Sequence, residues 1–406
     1  NTGIGANNLT LGAGNNAITT GGGINTIDFT SGNNTVNTGD GANTITGTSG
    51  HNYIKTGGGV DTITLGDGNN IIKSGDGAAT IIAGGGDNFV CSGMGVDTIT
   101  LGDGNNVVLA GDGANTVIVG DGKNFVIGGT GLDTLTAGDG GNYIDGGPAG
   151  ANTIVSGSGN DTIFGGIAVD TISAGGGDDR IHILGIGANT VHGEGGSDTL
   201  IVDFSDATAA ITNAAVAPAA PAAGYTGGIA GYGATAYTGI ETFDITTGSG
   251  ADSIFTGDGD DILFGGANDD NLSAAAGDDL LTGGEGNDRL TGGTGVDTFI
   301  FRSADGTDST DTITDFTAGT GGDVLDFSDF LEDEENTGAD LANYLTVNFD
   351  AVANSSTITA NSESDASGSD FTLVLEGVDL VGGGGLNQAD ILQGLIDSNN
   401  LTVDQI

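Results

Sequence analysis

The segment Gly283-Gly284-Glu285-Gly286-Asn287-Asp288-Arg289-Leu290-Thr291 joins a glycine-rich turn to a short run in which one aliphatic residue, Leu290, is flanked by polar residues. The same arrangement recurs along the chain with a period of nine residues. Every ninth residue from Gly5 to Gly140 is glycine, and an aliphatic residue follows each of these glycines by four positions. An unbroken period of this length predicts a repeat protein.

Each repeat predicts a tight turn followed by a short β-strand. Glycine permits positive φ angles and the close approach of neighbouring turns, and one inward β-branched residue per strand fills a narrow interior. Two repeats would form one coil of eighteen residues, and stacked coils would pair their strands into parallel sheets. We therefore predict an all-β fold, a parallel β-roll.

The period divides the chain into four segments. A first roll with asparagine-rich turns spans residues 1–203, and an alanine-rich insert or loop spans residues 204–247. A second roll with aspartate-rich repeats spans residues 248–301, and a small mixed, β-rich domain spans residues 302–406. Within this last domain the residue pattern predicts three strands and one helix, at residues 345–349, 357–359, 371–375 and 388–396.

The charge of the chain excludes several classes of protein. Its 406 residues include 55 Asp and Glu against 6 Lys and Arg, a formal net charge of −49. Nucleic acids and anionic lipid surfaces would repel such a chain, so we expect no nucleic acid partner. No apolar stretch is long enough to span a bilayer, so we expect no direct membrane insertion. The single cysteine, Cys91, rules out an intramolecular disulfide.

The aspartates of the second roll predict bound cations. Stacked coils would place equivalent aspartates about 4.8 Å apart, and a column of uncompensated carboxylates would force the coils apart. Hard oxygen ligands in flexible glycine turns suit Ca²⁺ better than Mg²⁺, which demands a near-ideal octahedron. We predict multiple Ca²⁺ ions, with ligands that recur every nine residues: Asp252, Asp261, Asp270, Asp279, Asp288 and Asp297.

The first roll carries asparagine at most of the equivalent positions. Its remaining carboxylates still supply about one per coil on each edge, so we predict weaker, one-carboxylate calcium sites there. The predicted ligands are Asp61, Asp76, Asp97, Asp112, Asp133, Asp67, Asp103, Asp121, Asp139, Asp161, Asp170, Asp179 and Asp198. The alternative is a ladder of asparagine amides that stabilises the turns through hydrogen bonds, with no metal.

These residues resemble a known family. The segment 283–291 matches the RTX nonapeptide G-G-x-G-x-D-x-U-x at every specified position, and the resemblance covers roughly residues 1–203 and 248–301. The chain is thus similar to calcium-binding RTX β-roll proteins. The resemblance implies Ca²⁺ held between adjacent coils by the aspartates and by glycine carbonyls.

The carboxy-terminal segment of about 100 residues, including Val374-Leu375-Glu376-Gly377-Val378-Asp379-Leu380, resembles the type I secretion target domain that ends many RTX proteins. This resemblance implies an export signal read by an ABC transporter, and hence an extracellular, cell-surface location in a Gram-negative bacterium. At low cytosolic Ca²⁺ the carboxylates would keep the roll unfolded, and external Ca²⁺ would supply the free energy of folding.

The outward residues predict two chemically different faces. One face carries a threonine column at eighteen-residue spacing, which also allows an ice-binding role. The other carries a column of hydrophobic residues that we call the apolar stripe: Tyr53, Ile71, Phe89, Val107, Phe125 and Tyr143. Soluble monomers seldom expose such a patch, so we expect it to be an interface with a second copy of the chain. Cover by the insert at residues 204–247 is the alternative.

No pattern in the sequence indicates catalysis. The three histidines, His51, His182 and His192, form no metal-binding motif, and Cys91 has no evident base beside it. We therefore expect no enzyme. The expected function is a secreted, calcium-dependent structural protein that assembles into a surface layer or filament. The chain begins in full repeat register, so we expect either upstream residues or a stacked neighbour at that end; the alternative function is the carboxy-terminal part of a large adhesin.

Overall fold

A computed structural model describes most of the chain. The described residues are 3–185, 187–216, 224–231, 233–302, 305, 309–329, 331, 337–361, 371–382 and 386–403. The chain forms two compact units. Unit 1 comprises Asn1–Thr199, Ala220–Gly224 and Thr235–Ile240, and unit 2 comprises Leu200–Ala219, Tyr225–Ala234 and Glu241–Ile406.

Short strands alternate with glycine turns throughout unit 1. The strands are β1 (Asn7–Leu11), β2 (Ala17–Thr19), β3 (Asn25–Phe29), β4 (Thr35–Asn37), β5 (Asn43–Ser49), β6 (Tyr53–Lys55), β7 (Asp61–Asp67), β8 (Ile71–Lys73), β9 (Ala79–Ala83), β10 (Phe89–Cys91), β11 (Thr98–Leu101), β12 (Val107–Leu109), β13 (Thr116–Val119), β14 (Phe125–Ile127), β15 (Thr134–Thr136), β16 (Tyr143–Asp145), β17 (Thr153–Val155), β18 (Thr162–Phe164), β19 (Thr171–Ser173), β20 (Arg180–Leu184) and β21 (Thr190–His192).

The strands of unit 1 pair in the manner that the period predicts. Each odd-numbered strand pairs in parallel with the next odd-numbered one, and the even-numbered strands form a second parallel sheet. Ile27, Ile45 and Ile63 pair in succession at a register step of eighteen residues, and all three side chains are fully buried. The step lengthens to nineteen where Leu135 pairs with Ile154. The parallel β-roll is confirmed.

Unit 2 contains the same kind of strand together with a carboxy-terminal extension. Its elements, with β22 and β25 shared with unit 1, are β22 (Thr199–Asp203), β23 (Thr212–Val216), β24 (Tyr225–Ala230), β25 (Ala234–Ile240), β26 (Thr242–Thr246), β27 (Ser253–Phe255), β28 (Ile262–Ala267), β29 (Asn271–Ser273), β30 (Leu280–Glu285), β31 (Arg289–Thr291), β32 (Thr298–Ile300), β33 (Ser309–Ile313), β34 (Val324–Asp326), α1 (Gly338–Leu341), β35 (Leu345–Asp350), β36 (Ser355–Ala360), β37 (Phe371–Glu376), α2 (Gln388–Asp397) and β38 (Leu401–Thr402).

The parallel stacking of unit 2 extends beyond residue 301, where the sequence period ends. Strand β33 pairs in parallel with β31, and β34 pairs in parallel with β32. The strands predicted in the carboxy-terminal segment are present as β35, β36 and β37, which form an antiparallel meander, and the predicted helix is α2. Neither α1 nor α2, the helices of the described residues, is long and apolar enough to cross a membrane.

The segment at residues 204–247, expected as an insert or loop, contains regular strands. Strand β23 forms an antiparallel pair with β24, and β25 adds to the sheet of unit 1 by pairing in parallel with β21. Tyr237 of β25 is buried, in register with Val191. Residues 217–223, part of the alanine-rich stretch, lie outside the described residues.

Candidate metal centre

Where the sixth position of a repeat is aspartate, its side chain is buried, although it lies in a turn. Asp270, Asp279 and Asp288 show the common geometry. One carboxylate oxygen, Oδ1, accepts a hydrogen bond from a backbone N–H of the preceding coil. The N–H of Asp252 donates to Asp270 at 2.7 Å, and the N–H of Asp270 donates to Asp288 at 2.8 Å. The aspartates therefore form continuous columns along the stack.

The second carboxylate oxygen, Oδ2, is buried and has no hydrogen-bond partner at twelve of the predicted ligands. They are Asp61, Asp97, Asp133, Asp161, Asp170, Asp179, Asp252, Asp261, Asp270, Asp279, Asp288 and Asp297. An unsatisfied buried acceptor of this kind costs free energy, and a charged one costs more than a neutral one. Asp198 takes the same position, and its Oδ1 accepts the N–H of Asp179 at 3.0 Å.

Two neighbouring turns, one with asparagine and one with aspartate, show that the aspartate lacks the hydrogen-bond donor of the amide. The position of a Cβ atom built on a nearby glycine serves as the reference point in both turns. A Cβ atom placed on Gly146 would lie 2.7 Å from Nδ2 of Asn152 and 2.7 Å from the carbonyl oxygen of Gly165, and that Nδ2 donates to the carbonyl. A Cβ atom on Gly128 would likewise lie 2.7 Å from Oδ2 of Asp133 and 2.8 Å from the carbonyl oxygen of Gly146. At the aspartate, two acceptors thus lie near the same point, and Oδ2 of Asp133 has no donor.

Burial makes the charged form of these aspartates unfavourable. It raises the pKa of Asp261 and of Asp270 to about 8, and the pKa of Asp279 and of Asp288 to about 7. For Asp270 the hydrogen bond from the N–H of Asp252 opposes this rise in pKa, and the like charges of its column neighbours Asp288 and Asp252 add to it. Because the folded-state pKa values lie above the ordinary one, ionisation at neutral pH opposes folding unless a positive charge compensates it.

A Ca²⁺ ion fits this environment. The oxygens beside each aspartate are carboxylate and backbone carbonyl oxygens on glycine turns, a hard and flexible ligand set of the type that Ca²⁺ prefers. At Gly265, a Cβ atom would meet both Oδ2 of Asp270 and the carbonyl oxygen of Gly283 in the next coil. These two oxygens would hold an ion between coils. Across the described ranges no three Asp, Glu, His or Cys side chains form a cluster.

The remaining predicted ligands occupy a different environment. Asp67, Asp76, Asp103, Asp112, Asp121 and Asp139 are exposed on the outer side of the turns. Asp67 accepts the N–H of Gly85 at 2.9 Å, and Asp103 accepts the N–H of Asp121 at 3.0 Å. The structure does not bring them together with the buried aspartates. Their role as metal ligands stays a prediction, whereas their role as acceptors for the adjacent coil is evident.

The asparagines of the first roll form the predicted amide ladder along one edge. Nδ2 of Asn88 donates to Oδ1 of Asn106 at 3.0 Å, and Nδ2 of Asn106 donates to Oδ1 of Asn124 at 3.0 Å. Each Nδ2 also contacts turn carbonyls, as that of Asn88 does with Gly86 at 2.7 Å. We call this column, from Asn34 to Asn142, the asparagine ladder. The buried position of these turns is therefore filled by a neutral side chain that has its own donors.

Sequence reasoning missed two aspartates that continue the columns. Oδ1 of Asp311 accepts the N–H of Asp288 at 2.9 Å, and Oδ1 of Asp323 accepts the N–H of Asp297 at 3.1 Å. Both are buried. Spacings of 23 and 26 residues instead of eighteen conceal them. A local signal existed, because the residues Asp-Thr-Ile-Thr at 311–314 repeat those at 97–100.

The apolar stripe lies on one column of the even-numbered strands. Its six residues pair in register from Tyr53 to Tyr143. Ile71 and Phe125 remain 43% and 38% exposed, and the rings of Phe125 and Tyr143 stack with centroids 4.8 Å apart. Aromatic contact continues into the adjoining column through Phe164, whose ring is tilted against that of Tyr143 with centroids 5.4 Å apart. Sequence reasoning missed this continuation because the register step lengthens there.

Comparisons with known proteins agree with this geometry. The sequence profile of the RTX calcium-binding nonapeptide repeat (4 copies) matches residues 1–36, 30–63, 37–72, 64–99, 92–126, 118–148, 149–181, 184–204, 244–272 and 264–299, which together make up more than half of the chain. No curated protein matches the chain.

Three solved structures are similar in part. The AlgE6R3 subunit of the mannuronan C5-epimerase from Azotobacter vinelandii is 28% identical over 40% of this chain and 78% of its own, at a TM-score of 0.26. The AlgE6R2 subunit of the same enzyme is 30% identical over 37% of this chain and 91% of its own, at a TM-score of 0.24. The extracellular lipase LipA from Serratia marcescens is 19% identical over 66% of this chain and 43% of its own, at a TM-score of 0.18. With the family profile spanning both rolls, the chain belongs to the family of RTX calcium-binding nonapeptide repeat proteins.

Proposed function

We propose that this chain is a secreted structural protein, folded by several Ca²⁺ ions, that assembles with copies of itself into an extracellular layer or filament. The observation that carries the proposal is the apolar stripe. Ile71 and Phe125 are exposed, and they belong to a column of six hydrophobic residues in register. The chain that carries this column has a net charge of −49. Large exposed apolar patches mark interaction surfaces, and repulsion between such chains requires a strong local attraction for association.

Calcium would link export to assembly in this proposal. A type I ABC transporter would export the chain unfolded, because the buried aspartates of the second roll oppose folding while no cation is bound. Outside the cell Ca²⁺ would fill the spaces between carboxylate and carbonyl oxygens, and the folded roll would then present its stripe. The resemblance of the carboxy-terminal segment to secretion target domains supports this order of events.

A structural role also agrees with the polar groups of the roll, which serve its own stacking. His51, for example, accepts the N–H of Asn69 through Nδ1 at 2.9 Å, in line with the turn residues of neighbouring coils. Oδ1 of Asn33 accepts the N–H of His51 at 3.0 Å in the same way. We propose no catalytic activity for this chain.

Electron microscopy of the purified chain tests the proposal. Regular layers or filaments should form with millimolar Ca²⁺ and disappear when excess chelator is added. A chain that stays monomeric at high concentration with Ca²⁺ bound would contradict self-assembly. It would favour the alternative, in which the chain is the carboxy-terminal part of a larger adhesin, and that alternative predicts a native precursor with adhesive modules.

A further inference from the structure

The turn at residues 292–297 differs from the earlier turns of unit 2 in the residue that the next coil places beside it. Leu290 pairs with Ile313, so Asp315 takes in the next coil the register position of Gly292. The same position is held by Ala274 and Thr256 in the preceding coils. A carboxylate therefore stands where the earlier coils place a small or neutral residue.

Two carboxylates converge on Gly292. Asp297 has no exposed surface, and its Oδ2 has no hydrogen-bond partner. A Cβ atom on Gly292 would collide with that Oδ2. The carboxylate of Asp315 accepts the N–H of Gly292 at 3.2 Å and that of Gly293 at 2.8 Å. The unsatisfied oxygen of Asp297 and the side chain of Asp315 thus border the same glycine.

The next aspartate of the column shows how such a position is satisfied without an ion. Oδ1 of Asp323 accepts the N–H of Asp297 at 3.1 Å, and its Oδ2 accepts the N–H of Thr317 at 2.7 Å. Both oxygens of Asp323 therefore have donors, as do both oxygens of Asp315, so Oδ2 of Asp297 is the oxygen of these three carboxylates that has none. The charge that lacks compensation is that of Asp297, and burial followed by the charges of Asp323 and Asp315 raises the pKa of Asp297 to about 6.

We propose that Oδ2 of Asp297 and the carboxylate of Asp315 together bind one Ca²⁺ ion, in a two-carboxylate site at the end of the regular repeats. The inference rests on the calcium-dependent folding proposed above. Calcium affinity rises with the number of charged ligands, so this ion should be held more tightly than those bound by one carboxylate. Asp315 lies outside the nonapeptide and outside the residues that the family profile matches.

Calorimetric titration of the full chain with Ca²⁺, combined with elemental analysis of the ions retained after dialysis, tests the site. The variant Asp315→Gly gives position 315 the same residue as its register partner, Gly292. It should lower the affinity of the tightest Ca²⁺ site about tenfold. The matched control is Asp278→Asn. This carboxylate is exposed and accepts the N–H of Val296 at 2.8 Å from the neighbouring coil, so its loss should leave the tight ion unchanged.

Equal affinities and ion counts in Asp315→Gly and the unmodified chain would overturn the two-carboxylate site, and so would an equal loss in Asp278→Asn. Circular dichroism with Ca²⁺ checks folding. Should Asp315→Gly not fold, Asp315→Glu keeps the charge and must retain the tight ion; a folded Asp315→Glu chain without it would also overturn the site. An unmodified chain that binds no Ca²⁺ would contradict the proposed function itself, whereas the outcomes above contradict only this inference.

Discussion

The asparagine ladder of the first roll and the aspartate columns of the second occupy the same position of the same nonapeptide. In the ladder, Nδ2 of Asn124 donates to the carbonyls of Gly120 and Gly122 and to Oδ1 of Asn142. In the second roll an oxygen replaces that nitrogen, so Oδ2 of Asp270 faces the carbonyl of Gly283 as one acceptor facing another.

Replacing one nitrogen by one oxygen therefore changes what holds the coils together. The amide supplies its own donors, and it makes a turn that is complete at any Ca²⁺ concentration. The carboxylate presents a buried acceptor without a donor, and we expect a cation to compensate it. The chain thus combines, within one repeat geometry, an edge whose turns have their own donors with turns that we expect to depend on metal.

Removal of Ca²⁺ should produce the largest difference between the two regions. In excess chelator, the backbone amides of β27 to β32 should lose protection from hydrogen exchange on the order of 100-fold, because six buried carboxylates repel one another there. The amides of β4 to β14 should lose much less protection, because the asparagine ladder fills one edge there and the buried aspartates of the other edge are Asp61 and Asp97. Hydrogen exchange followed by mass spectrometry measures both regions in one sample. Equal protection of both with and without Ca²⁺ would remove the distinction.

The variant Asn88→Asp should create a metal-dependent turn within the ladder. Its new oxygen would face the carbonyls of Gly84 and Gly86, which now accept from Nδ2. In chelator the free energy of unfolding should fall by about 1–3 kcal/mol, the cost of an unsatisfied buried acceptor. Urea denaturation measures it. The control, Asn105→Asp, lies on the exposed side of the turn, where Oδ1 accepts the N–H of Lys123, and should change little.

The reverse variant, Asp270→Asn, should have opposite effects in the two conditions. In chelator it should raise the free energy of unfolding by about 1 kcal/mol, because an amide donor replaces a repelled carboxylate. In saturating Ca²⁺ it should lower the same quantity, because one ion loses its charged ligand. Asp260→Asn, an exposed carboxylate that accepts the N–H of Asp278, serves as control. A change of the same sign in both conditions would show that Asp270 does not bind the metal.

The double variant Phe89→Lys with Phe125→Lys should have the smallest effect on stability and tests the outward face of the first roll. The free energy of unfolding should fall by about 1 kcal/mol, since the stacking of Phe125 on Tyr143 is lost. Association should be abolished in electron micrographs. The control Thr98→Lys lies on the opposite sheet and should leave association intact. Unaltered arrays in the double variant would show that the apolar stripe is not the interface.

The nine-residue period was sufficient to predict the core of both rolls. Ile45 and Ile63 lie in register because each eighteen-residue coil places its inward residue directly beside the equivalent residue of the previous coil. The amide ladder was predicted only as an alternative to metal binding, because sequence alone does not show which way an asparagine side chain turns. The structure shows the amide hydrogen bonds, as between Asn88 and Asn106, whereas the one-carboxylate calcium sites of the first roll stay a prediction.

The sequence failed where insertions change the spacing. Asp311 and Asp323 follow their column neighbours by 23 and 26 residues, so no fixed period reaches them, although backbone pairing still aligns β33 with β31. Strand β25 was missed for a related reason, since its position beside β21 depends on pairing across more than forty residues. Strand pairings between residues so far apart in sequence form only in the folded chain, so no local residue pattern predicts them.

The eighteen-residue register between Val90 and Val126 has a consequence for how the gene of this protein can change in length. Val90 pairs with Val108, and Val108 pairs with Val126, so a deletion of eighteen codons removes one whole coil and leaves every column aligned. A deletion of nine codons keeps the inward residues inside but exchanges the two outer faces for everything downstream. Threonines would then interrupt the hydrophobic column. In this part of the roll, only the loss or gain of pairs of repeats therefore keeps each outer face continuous.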